Sequence, residues 1–357
     1  MKIAVLLSGG VDSSVALHLL REQGQSDIEA FYLKIWLEDE VRFLGDCPWE
    51  EDLKYARTVS EMAGVGLSVI SLQREYYNQV VSYALAELKK GRTPSPDIFC
   101  NHRIKFGLFQ NRIDPSVGKI ASGHYAVLKR HAGRYLLARS PDPVKDQTYF
   151  LSHQNQGQLS RSLFPIGHLT KKDVRDLARK YKLPNKDRKD SQGICFLGKI
   201  RYPDFVRHYL GEKPGDIVDR ETGRILGTHN GYWFHTIGQR QGLGLGNGPW
   251  YVSGKDVEAN RILVTHGTRG NLAETKAFTV GDLHWISDPP EHTRLHIKIR
   301  HGPALIPSRV SHIDSGRMGV EMDFPDRGVA PGQFAVFYSG EICLGAGVIE
   351  TRHRRER

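Results

Sequence analysis

The chain has 357 residues, of which 39% are hydrophobic and 25% charged, a composition typical of a soluble globular protein with room for two or three domains. No run of about 18 apolar residues occurs, which argues against a membrane-spanning helix. Fifty Lys and Arg against forty Asp and Glu leave a formal charge of +10, which favours a polyanionic partner such as a nucleic acid.

The first half of the chain alternates strand-like and helix-like segments. An apolar run over residues 2–7 predicts a strand, and Val11, Val15 and Leu19 then recur at helical spacing. Further strands are predicted at EAFYLKIWL (29–37), LSVISL (67–72) and GKIASGHY (118–125), and helices at EEDLKYARTVSEMAG (50–64), YYNQVVSYALAELKKG (76–91) and TKKDVRDLARKYKL (170–183), the last opened by a capping box of Thr170 and Asp173. This alternation predicts a doubly wound parallel α/β sheet with its site at the carboxyl ends of the strands.

Beyond about residue 200 the pattern changes. Glycine becomes frequent, and short β-like runs occur at RILGTHNGYWFHTIG (224–238), WYVSGKD (250–256) and RILVTHG (261–267). From about residue 275 the alternation is cleaner and turn residues separate the runs. We therefore predict an all-β barrel in the last part of the chain.

The stretch SGGVDSS (8–14) joins the first strand to the first helix and predicts a phosphate site. It lacks the lysine of the Walker pattern GxxxxGK[ST], but it ends at a helix N-terminus, where the dipole favours anions. The donors that we expect to converge are the backbone N–H groups of Gly9, Gly10 and Val11 and the hydroxyls of Ser8, Ser13 and Ser14. Asp12 is suited to hold Mg²⁺ against the phosphates. The alternative is a plain tight turn with Asp12 or Ser13 as the helix N-cap.

Four cysteines are widely spaced along the chain, without a CxxC pair. This spacing excludes a disulfide framework and a zinc ribbon. Cys47 and Cys343 are expected to be bystanders, whereas Cys100 and Cys195 lie in the segments GRTPSPDIFCNHRIKFG (91–107) and KDSQGICFLG (189–198). Without those flanking residues, two unrelated buried cysteines would be the simpler interpretation.

Charged residues surround Cys100 in the sequence. Asp97 precedes it by three residues and is placed for acid–base work, although a turn aspartate is the plainer interpretation. Arg103 and Lys105 follow closely, and we expect them to lower the pKa of the thiol. A further alternative is an iron–sulfur cluster held by Asp97, Cys100 and Cys195.

The motif SGGxDS resembles that of the PP-loop, or N-type ATP pyrophosphatase, superfamily. The resemblance implies that ATP is cleaved between its α and β phosphates, that a substrate oxygen is adenylated and that pyrophosphate leaves. Both cysteine segments, together with five further strings, resemble the bacterial-type tRNA-specific 2-thiouridylase family over nearly the whole chain. These strings are GHYA (123–126), KDQTYFL (145–151), SLFPIGHLTKKDVR (162–175), TIGQRQGLGLG (236–246) and PGQFAVFYSGEICLGAGVIE (331–350).

This resemblance implies three domains and a substrate. The domains are a PP-loop catalytic domain at 1–200, a small central domain at 201–272 and a tRNA-contacting β-barrel at 273–357. The substrate is the wobble uridine at position 34 of tRNAs for lysine, glutamate and glutamine. ATP and Mg²⁺ are the implied cofactors, and a sulfur-carrier protein or a cysteine desulfurase is the implied donor of sulfur.

The same resemblance implies roles for individual residues. The ATP-binding residues are Leu6, Leu7, Ser8, Gly9, Gly10, Val11, Asp12, Ser13, Leu33 and Gly123. The target base is expected against Ser95, Pro96 and Asp97, where Ser95 replaces the usual asparagine of the family and leaves the detailed base contact in question. The tRNA contacts are His124, Lys145, Asp146, Gln147, Arg300, His301 and Gln333.

The implied mechanism uses both thiols. Adenylation by ATP converts the C2 oxygen of uracil into a leaving group, and Cys195, loaded as a persulfide, supplies the sulfur. That sulfur attacks C2 directly or is first freed as hydrosulfide by Cys100, and the two cysteines end as a transient disulfide. Asp97 serves as acid or base.

Two rival functions remain compatible with the sequence. A PP-loop amide ligase or small-molecule synthetase would share the adenylation but need no paired thiols, and a non-catalytic RNA-binding module would need neither. Because the first strand begins at residue 2, we expect no presequence. We expect a cytoplasmic, monomeric protein without membrane contact.

Overall fold

The computed structural model describes residues 1–35, 49–190, 200–267, 274–314 and 316–353. The first part of the chain forms a five-stranded sheet with the order β3-β2-β1-β4-β7, in which each neighbouring pair is parallel. The strands are β1 (Lys2–Leu6), β2 (Ile28–Lys34), β3 (Leu67–Ser71), β4 (Val117–Ala121) and β7 (Ser162–Leu163). The predicted parallel α/β sheet is confirmed.

Helices cover the sheet and connect its strands. In chain order they are α1 (Val11–Glu22), α2 (Trp49–Met62), α3 (Gln73–Tyr76), α4 (Ser82–Lys89), α5 (Pro96–Phe99), α6 (Thr148–Leu151), α7 (Gln156–Arg161), α8 (Lys171–Lys180) and α9 (Tyr202–Leu210). Two π-helical segments, Tyr77–Val81 and Cys100–Lys105, continue α3 and α5. The capping box at α8 is present, because Thr170 Oγ1 accepts from the Asp173 N–H and the Asp173 carboxylate accepts from the Thr170 N–H.

Both faces of the sheet are buried at its central strand β1, as expected for a strand between two helical layers, whereas the edge strand β3 is partly exposed. Along β1, Ile3 and Val5 point into one apolar cluster, which α1 and α2 complete. Ala4 and Leu6 point into the other cluster, which also contains Cys100. The alternation of side chains along one short strand thus places the end of β1 between two cores.

A second, four-stranded sheet follows, with the order β10-β11-β8-β9. Its strands are β8 (Gly215–Asp219), β9 (Ile225–His229), β10 (Trp250–Asp256) and β11 (Arg261–His266). The predicted run 224–238 is a strand only as far as His229. Gly231 then has a φ of 144°, a backbone region that favours glycine, and Tyr232–Phe234 forms a 3-10 turn.

The last six strands close into an antiparallel barrel, because β12 pairs with both β15 and β17. They are β12 (Thr275–Trp285), β13 (Arg294–Lys298), β14 (Ile306–Asp314), β15 (Arg317–Asp326), β16 (Phe334–Ser339) and β17 (Ile342–His353). Apolar side chains fill the interior, among them Phe278, Ile297 and Phe337, each with 0% exposure. The predicted barrel is confirmed.

A hairpin from the first part of the chain extends the barrel. Strands β5 (Ala126–His131) and β6 (Arg134–Arg139) form this hairpin, and β6 pairs with β17 at Ile342 and Cys343. The barrel sheet therefore contains eight strands and is joined to the α/β part by main-chain hydrogen bonds. Within the described ranges, no helix has the length and apolarity needed to cross a membrane.

Candidate active site

The stretch at 8–14 forms a turn whose hydroxyls are engaged locally. Gly9 has a φ of 74°, and a side chain there would collide with the backbone of Asp52, so that only glycine fits. The N-cap of α1 is Gly10, without a side-chain cap, so the expectation of Asp12 or Ser13 as N-cap is wrong. Instead, the hydroxyls of Ser13 and Ser14 donate to the Gly10 carbonyl at 3.1 and 2.9 Å, which tightens the start of the helix.

The loop after β4 lies directly against this turn. A Cβ at Gly123 would lie 2.6 Å from the backbone nitrogen of Ser13, so the close approach requires glycine. Leu6 and Leu7 are buried in the core clusters on opposite faces of the sheet, and half-buried Leu33 lies near the carboxyl end of β2. The structure thus brings the residues expected to bind ATP to the carboxyl ends of β1, β2 and β4.

Opposite charges cluster beside the turn. Asp12 Oδ1 accepts a hydrogen bond from the Tyr125 hydroxyl at 2.8 Å and from Lys171 Nζ at 2.7 Å. Asp190 accepts from three cations: Lys171 and Arg175 reach its Oδ1 at 2.7 Å, and Lys145 reaches its Oδ2 at 2.6 Å. We call these five residues, Asp12, Lys145, Lys171, Arg175 and Asp190, the Asp12–Asp190 cluster.

The cluster keeps the Asp190 carboxylate charged. Burial raises the pKa of Asp190, but hydrogen bonds from Lys145 and Lys171 outweigh that effect and lower the pKa to about 2. Burial and the neighbouring Asp12 carboxylate raise the pKa of Tyr125, so its hydroxyl stays protonated and donates. Sequence analysis missed Tyr125, Lys171 and Arg175, because their proximity to Asp12 or Asp190 is created only by the fold.

A second set of contacts anchors the segment that follows α8. Asn185, which is 1% exposed, donates from Nδ2 to the Gly9 carbonyl at 2.8 Å and to Ser14 Oγ at 2.9 Å. Arg188 donates to the Gly9 carbonyl at 3.2 Å and pairs with Asp52 at 2.5 Å. The chain is therefore fixed to the turn at 8–14 just before residues 191–199. Cys195, and with it the predicted pairing with Cys100, lies outside the described residues, as does Cys47.

The Cys100 thiol is buried at the junction of α5 and the π-helical segment, with 1% exposure. Burial raises its pKa to about 11, although Lys105 acts to lower it. The expected lowering is therefore wrong in direction, because desolvation outweighs the nearby positive charge. Arg103 instead donates to the Gln79 carbonyl and lies 3.9 Å from the ring centre of Phe99. Cys343 is also buried at 1% exposure, so burial does not distinguish it from Cys100, and its bystander role stays a prediction.

The barrel holds the loop that leads to Cys100. The Thr93 N–H donates to the Pro331 carbonyl at 2.8 Å. Gln333 donates from Nε2 to the carbonyls of Thr93 and Pro94 at 3.2 and 3.0 Å. Ser95 and Asp97 follow, half-buried, on either side of the buried Pro96. The residues expected at the target base thus lie where this loop ends and α5 begins, with Ser95 as the N-cap and Pro96 and Asp97 in the first turn.

Several residues expected to contact tRNA make internal contacts. His124, 8% exposed, has Nδ1 2.8 Å from Ser122 Oγ, and burial lowers its pKa well below the usual range. Asp146 has 0% exposure and pairs with Lys298 Nζ at 2.6 Å and Arg139 Nε at 3.2 Å. Gln147 accepts from the Tyr125 N–H at 3.0 Å. A direct contact between the Asp146 side chain and tRNA would require this buried pair to open.

The remaining two lie on the barrel surface. Arg300, with 56% of its side chain exposed, forms a two-point ion pair with Asp326 at 2.7 and 2.8 Å. His301 stacks on Phe150, with ring centres 4.8 Å apart. Burial lowers the pKa of His301, and Lys298 and Lys145 also lie close enough to lower it. The assignment of Arg300 and His301 to tRNA stays a prediction.

The parallel sheet, the glycine turn and the cluster at the carboxyl ends of the strands define a nucleotide-binding α/β domain. Residues 1–199 match the family model described as tRNA methyl transferase HUP domain. Residues 203–266 match the tRNA methyl transferase PRC-barrel domain, and residues 275–349 match the aminomethyltransferase beta-barrel domain.

Curated relatives match along the full chain. A tRNA-specific 2-thiouridylase MnmA 1 of Bacteroides thetaiotaomicron is 46% identical over 356 residues, covering 98% of this chain and 99% of the relative. A tRNA-specific 2-thiouridylase MnmA of Porphyromonas gingivalis is 43% identical over 362 residues, covering 98% of this chain and 99% of the relative. The chain belongs to the tRNA-specific 2-thiouridylase family.

Solved structures superpose less closely. An NH3-dependent NAD synthetase from Campylobacter jejuni gives a TM-score of 0.32 at 16% identity, covering 52% of this chain and 65% of its own. The U34-tRNA thiolase NcsA from Methanococcus maripaludis, with its [4Fe-4S] cluster, gives a TM-score of 0.32 at 14% identity. The match covers 59% of this chain and 67% of the thiolase. Similarity at this level carries no argument about function.

Proposed function

We propose that this protein is an ATP-dependent tRNA-uridine 2-sulfurtransferase that converts the wobble uridine, position 34, into 2-thiouridine. The observation that carries the proposal is the 46% identity, over 356 residues, to a protein named for this reaction. Two features of the structure support it. A phosphate turn stands at the carboxyl ends of the sheet, and the Cys100 thiol lies in the same buried cluster as Leu6 of β1.

The first step is activation of the C2 oxygen of uracil. That oxygen forms a bond to the α-phosphorus of ATP, the bond from this phosphorus to the β-phosphate oxygen breaks, and pyrophosphate leaves with the electron pair. We assign ATP to Leu6, Leu7, Ser8, Gly9, Gly10, Val11, Asp12, Ser13, Leu33 and Gly123. The Asp12 carboxylate suits Mg²⁺, which proteins bind through one or two carboxylates together with substrate phosphates, and the ion would neutralise charge there.

The second step replaces the activated oxygen with sulfur. Cys195 carries a persulfide. In one route its outer sulfur attacks C2 directly, and Cys100 then attacks the inner sulfur and breaks the S–S bond to the transferred sulfur. In the other route Cys100 attacks the inner sulfur first and frees hydrosulfide, which attacks C2. In both routes AMP leaves, a Cys100–Cys195 disulfide forms, and a cellular reductant supplies two electrons to reopen it. With a pKa of about 11, the Cys100 thiol must lose its proton during the reaction, and Asp97, three residues earlier, is the proposed base.

The proposed substrate is tRNA for lysine, glutamate and glutamine. Its anticodon base would be splayed from the stack and held against Ser95, Pro96 and Asp97. Contacts with the rest of the tRNA are assigned to His124, Lys145, Asp146, Gln147, Arg300, His301 and Gln333. Sulfur would come from a sulfur-carrier protein or a cysteine desulfurase. We propose that the protein acts in the cytoplasm, which contains both tRNA and cellular reductants, and that it acts as a monomer.

The test is direct. Purified protein is incubated with ATP, Mg²⁺, a sulfide or persulfide donor and unmodified tRNA, and the digested tRNA is analysed for 2-thiouridine by mass spectrometry. We expect product from the wild type and none from Cys100→Ser or Cys195→Ser, whereas Cys343→Ser, the matched control, keeps activity. Full activity in either of the first two variants would contradict the two-thiol mechanism.

The same assay separates the alternatives. An amide ligase or small-molecule synthetase would release pyrophosphate with another substrate and leave tRNA unmodified. An iron–sulfur enzyme with ligands Asp97, Cys100 and Cys195 would need anaerobic reconstitution with iron and would show cluster absorbance. A tRNA methyl transferase, the activity named in two of the matching family models, would increase the mass of the tRNA only when a methyl donor is present. Any of these results, in place of 2-thiouridine, would overturn the proposal.

A further inference from the structure

Lys171 is the cation that reaches the phosphate turn. Its Nζ lies 2.7 Å from Asp12 Oδ1 and 2.7 Å from Asp190 Oδ1, and only 16% of the side chain is exposed. Lys145 and Arg175 also contact Asp190, but among the described contacts it is Lys171 that bridges both carboxylates. An ammonium group is therefore held beside the second residue of α1, at the end of the helix where anions bind.

The backbone of Lys171 is fixed from several directions. It is the first residue of α8, directly after the N-cap Thr170, which forms a capping box with Asp173. Its N–H donates to Asp142 Oδ2 at 2.9 Å, and Asp142 Oδ1 accepts from the Lys145 N–H at 3.0 Å. The capping box and the Asp142 carboxylate fix the backbone at the start of α8. Few rotamers of Lys171 are then available, and its Nζ lies against Asp12 Oδ1.

We propose that Lys171 supplies to the phosphates of ATP the positive charge that the lysine of a Walker loop supplies in other proteins. The turn at 8–14 lacks such a lysine in sequence, and the fold provides one from 159 positions downstream. This inference rests on the proposed ATP chemistry and deepens it. The positive charge of Lys171 stabilises the negative charge that grows on the oxygen between the α and β phosphates as the bond from that oxygen to the α-phosphorus breaks.

Lys171→Ala tests the inference, and Lys172→Ala is the matched control, since Lys172 is the next residue of α8 and is exposed. We measure tRNA-dependent pyrophosphate release and the affinities for ATP and for adenosine. Removing a charge-stabilising donor costs about 100-fold or more, so we expect that loss in pyrophosphate release for Lys171→Ala. In Lys171→Ala the affinity for ATP should fall, while the affinity for adenosine is kept. Lys171→Arg, which keeps the positive charge, should restore part of the rate of pyrophosphate release. Lys172→Ala should match the wild type in all three measurements.

Three outcomes would overturn the inference. The first is wild-type pyrophosphate release by Lys171→Ala. The second is an equal loss of ATP and adenosine binding, which indicates a purely structural role for the ion pairs. The third, relevant if Lys171→Ala is unstable, is a Lys171→Met variant that keeps the apolar stem, folds with the wild-type melting temperature and releases pyrophosphate normally. Absence of any pyrophosphate release by the wild type would instead contradict the proposed function.

Discussion

At the scale of single residues, burial sets the pKa of His153, whose ring packs against Phe99, the residue before Cys100. His102, on the π-helical segment, His153, after α6, and His284, on β12, lie ring against ring, with the centres of His153 and His284 4.9 Å apart. Burial lowers the pKa of His153 to about 3, and the nearby His284, His102 and Arg103 lower it further. Nδ1 of His153 has no hydrogen-bond partner within the described part of the chain.

The neutral His153 ring predicts acid sensitivity. Its pKa is depressed from 6.5 to about 3, so between these values the unfolded chain binds a proton that the folded chain does not. The contribution to stability is therefore complete above pH 6.5 and is lost as the pH falls toward 3. We expect the melting temperature of His153→Phe to fall less steeply between pH 7 and pH 5 than that of the wild type.

The control for this prediction is His131→Phe, because His131 is exposed at the end of β5. Its melting temperature should follow the wild-type dependence on pH. The quantity compared is the slope against pH, so a constant loss of stability in the His153 variant does not confuse the result. Identical slopes for His153→Phe and the wild type would contradict the prediction.

At the scale of elements, a buried ion pair joins the segment before α6 to strand β13. Asp146 and Lys298 each have a side-chain exposure of 0% and lie 2.6 Å apart, and the Asp146 carboxylate also accepts from Thr148. Breaking a buried pair leaves an uncompensated charge, which costs about 3–5 kcal/mol. The pair thus makes the position of Lys145 and Gln147 depend on the barrel.

We predict that Lys298→Met lowers the free energy of unfolding by about 3–5 kcal/mol, because Asp146 is then buried with less positive charge. The double variant Lys298→Met/Asp146→Asn should recover part of the loss, and chemical denaturation followed by circular dichroism measures both. Arg300→Ala is the control, since the Arg300 side chain is 56% exposed against 0% for Lys298, and a pair with a solvent-exposed cation is worth about 1 kcal/mol or less. Additive effects of the two buried substitutions would show that the charges are not coupled.

Local features were predictable from sequence, and long-range ones were not. The turn at 8–14 and the capping box at Thr170 depend on a few consecutive residues, so their patterns are visible in the chain itself. Lys171 beside Asp12, and β6 beside β17, bring together residues 159 and about 200 positions apart, which no local pattern encodes. The pKa of Cys100 was predicted in the wrong direction, because its sequence shows Lys105 but not the core that buries the thiol.

At the scale of the whole molecule, the barrel and the α/β part share the loop that leads to Cys100. Gln333 donates to the carbonyls of Thr93 and Pro94, and the Thr93 N–H donates to Pro331. A barrel side chain therefore fixes the path of the chain toward Asp97 and Cys100. Gln333 is in this respect a positioning residue, whether or not it also meets tRNA.

We predict that Gln333→Ala lowers the rate of thiolation by about 10- to 100-fold, the effect expected from a displacement of about 1 Å near reacting groups. ATP affinity should stay unchanged, because the turn at 8–14 is held by other contacts. Gln333→Glu is the informative companion, since a carboxylate of the same size cannot donate to two carbonyls. If Gln333→Glu keeps the wild-type turnover, the hydrogen bonds do not position the loop.

The hairpin of β5 and β6 has a consequence for how the protein is made. Residues 126–139 leave the ribosome well before Ile342 and Cys343, the residues that pair with β6. During that interval β6 has β5 on one side and an open edge on the other, and open edges recruit strands from other chains. This hairpin carries three exposed cations, Lys129, Arg130 and Arg134. Their charge repels the same hairpin of another chain and so disfavours pairing between chains. Assembly of the enzyme is therefore completed late in translation, when the barrel closes over a strand synthesised about 200 residues earlier.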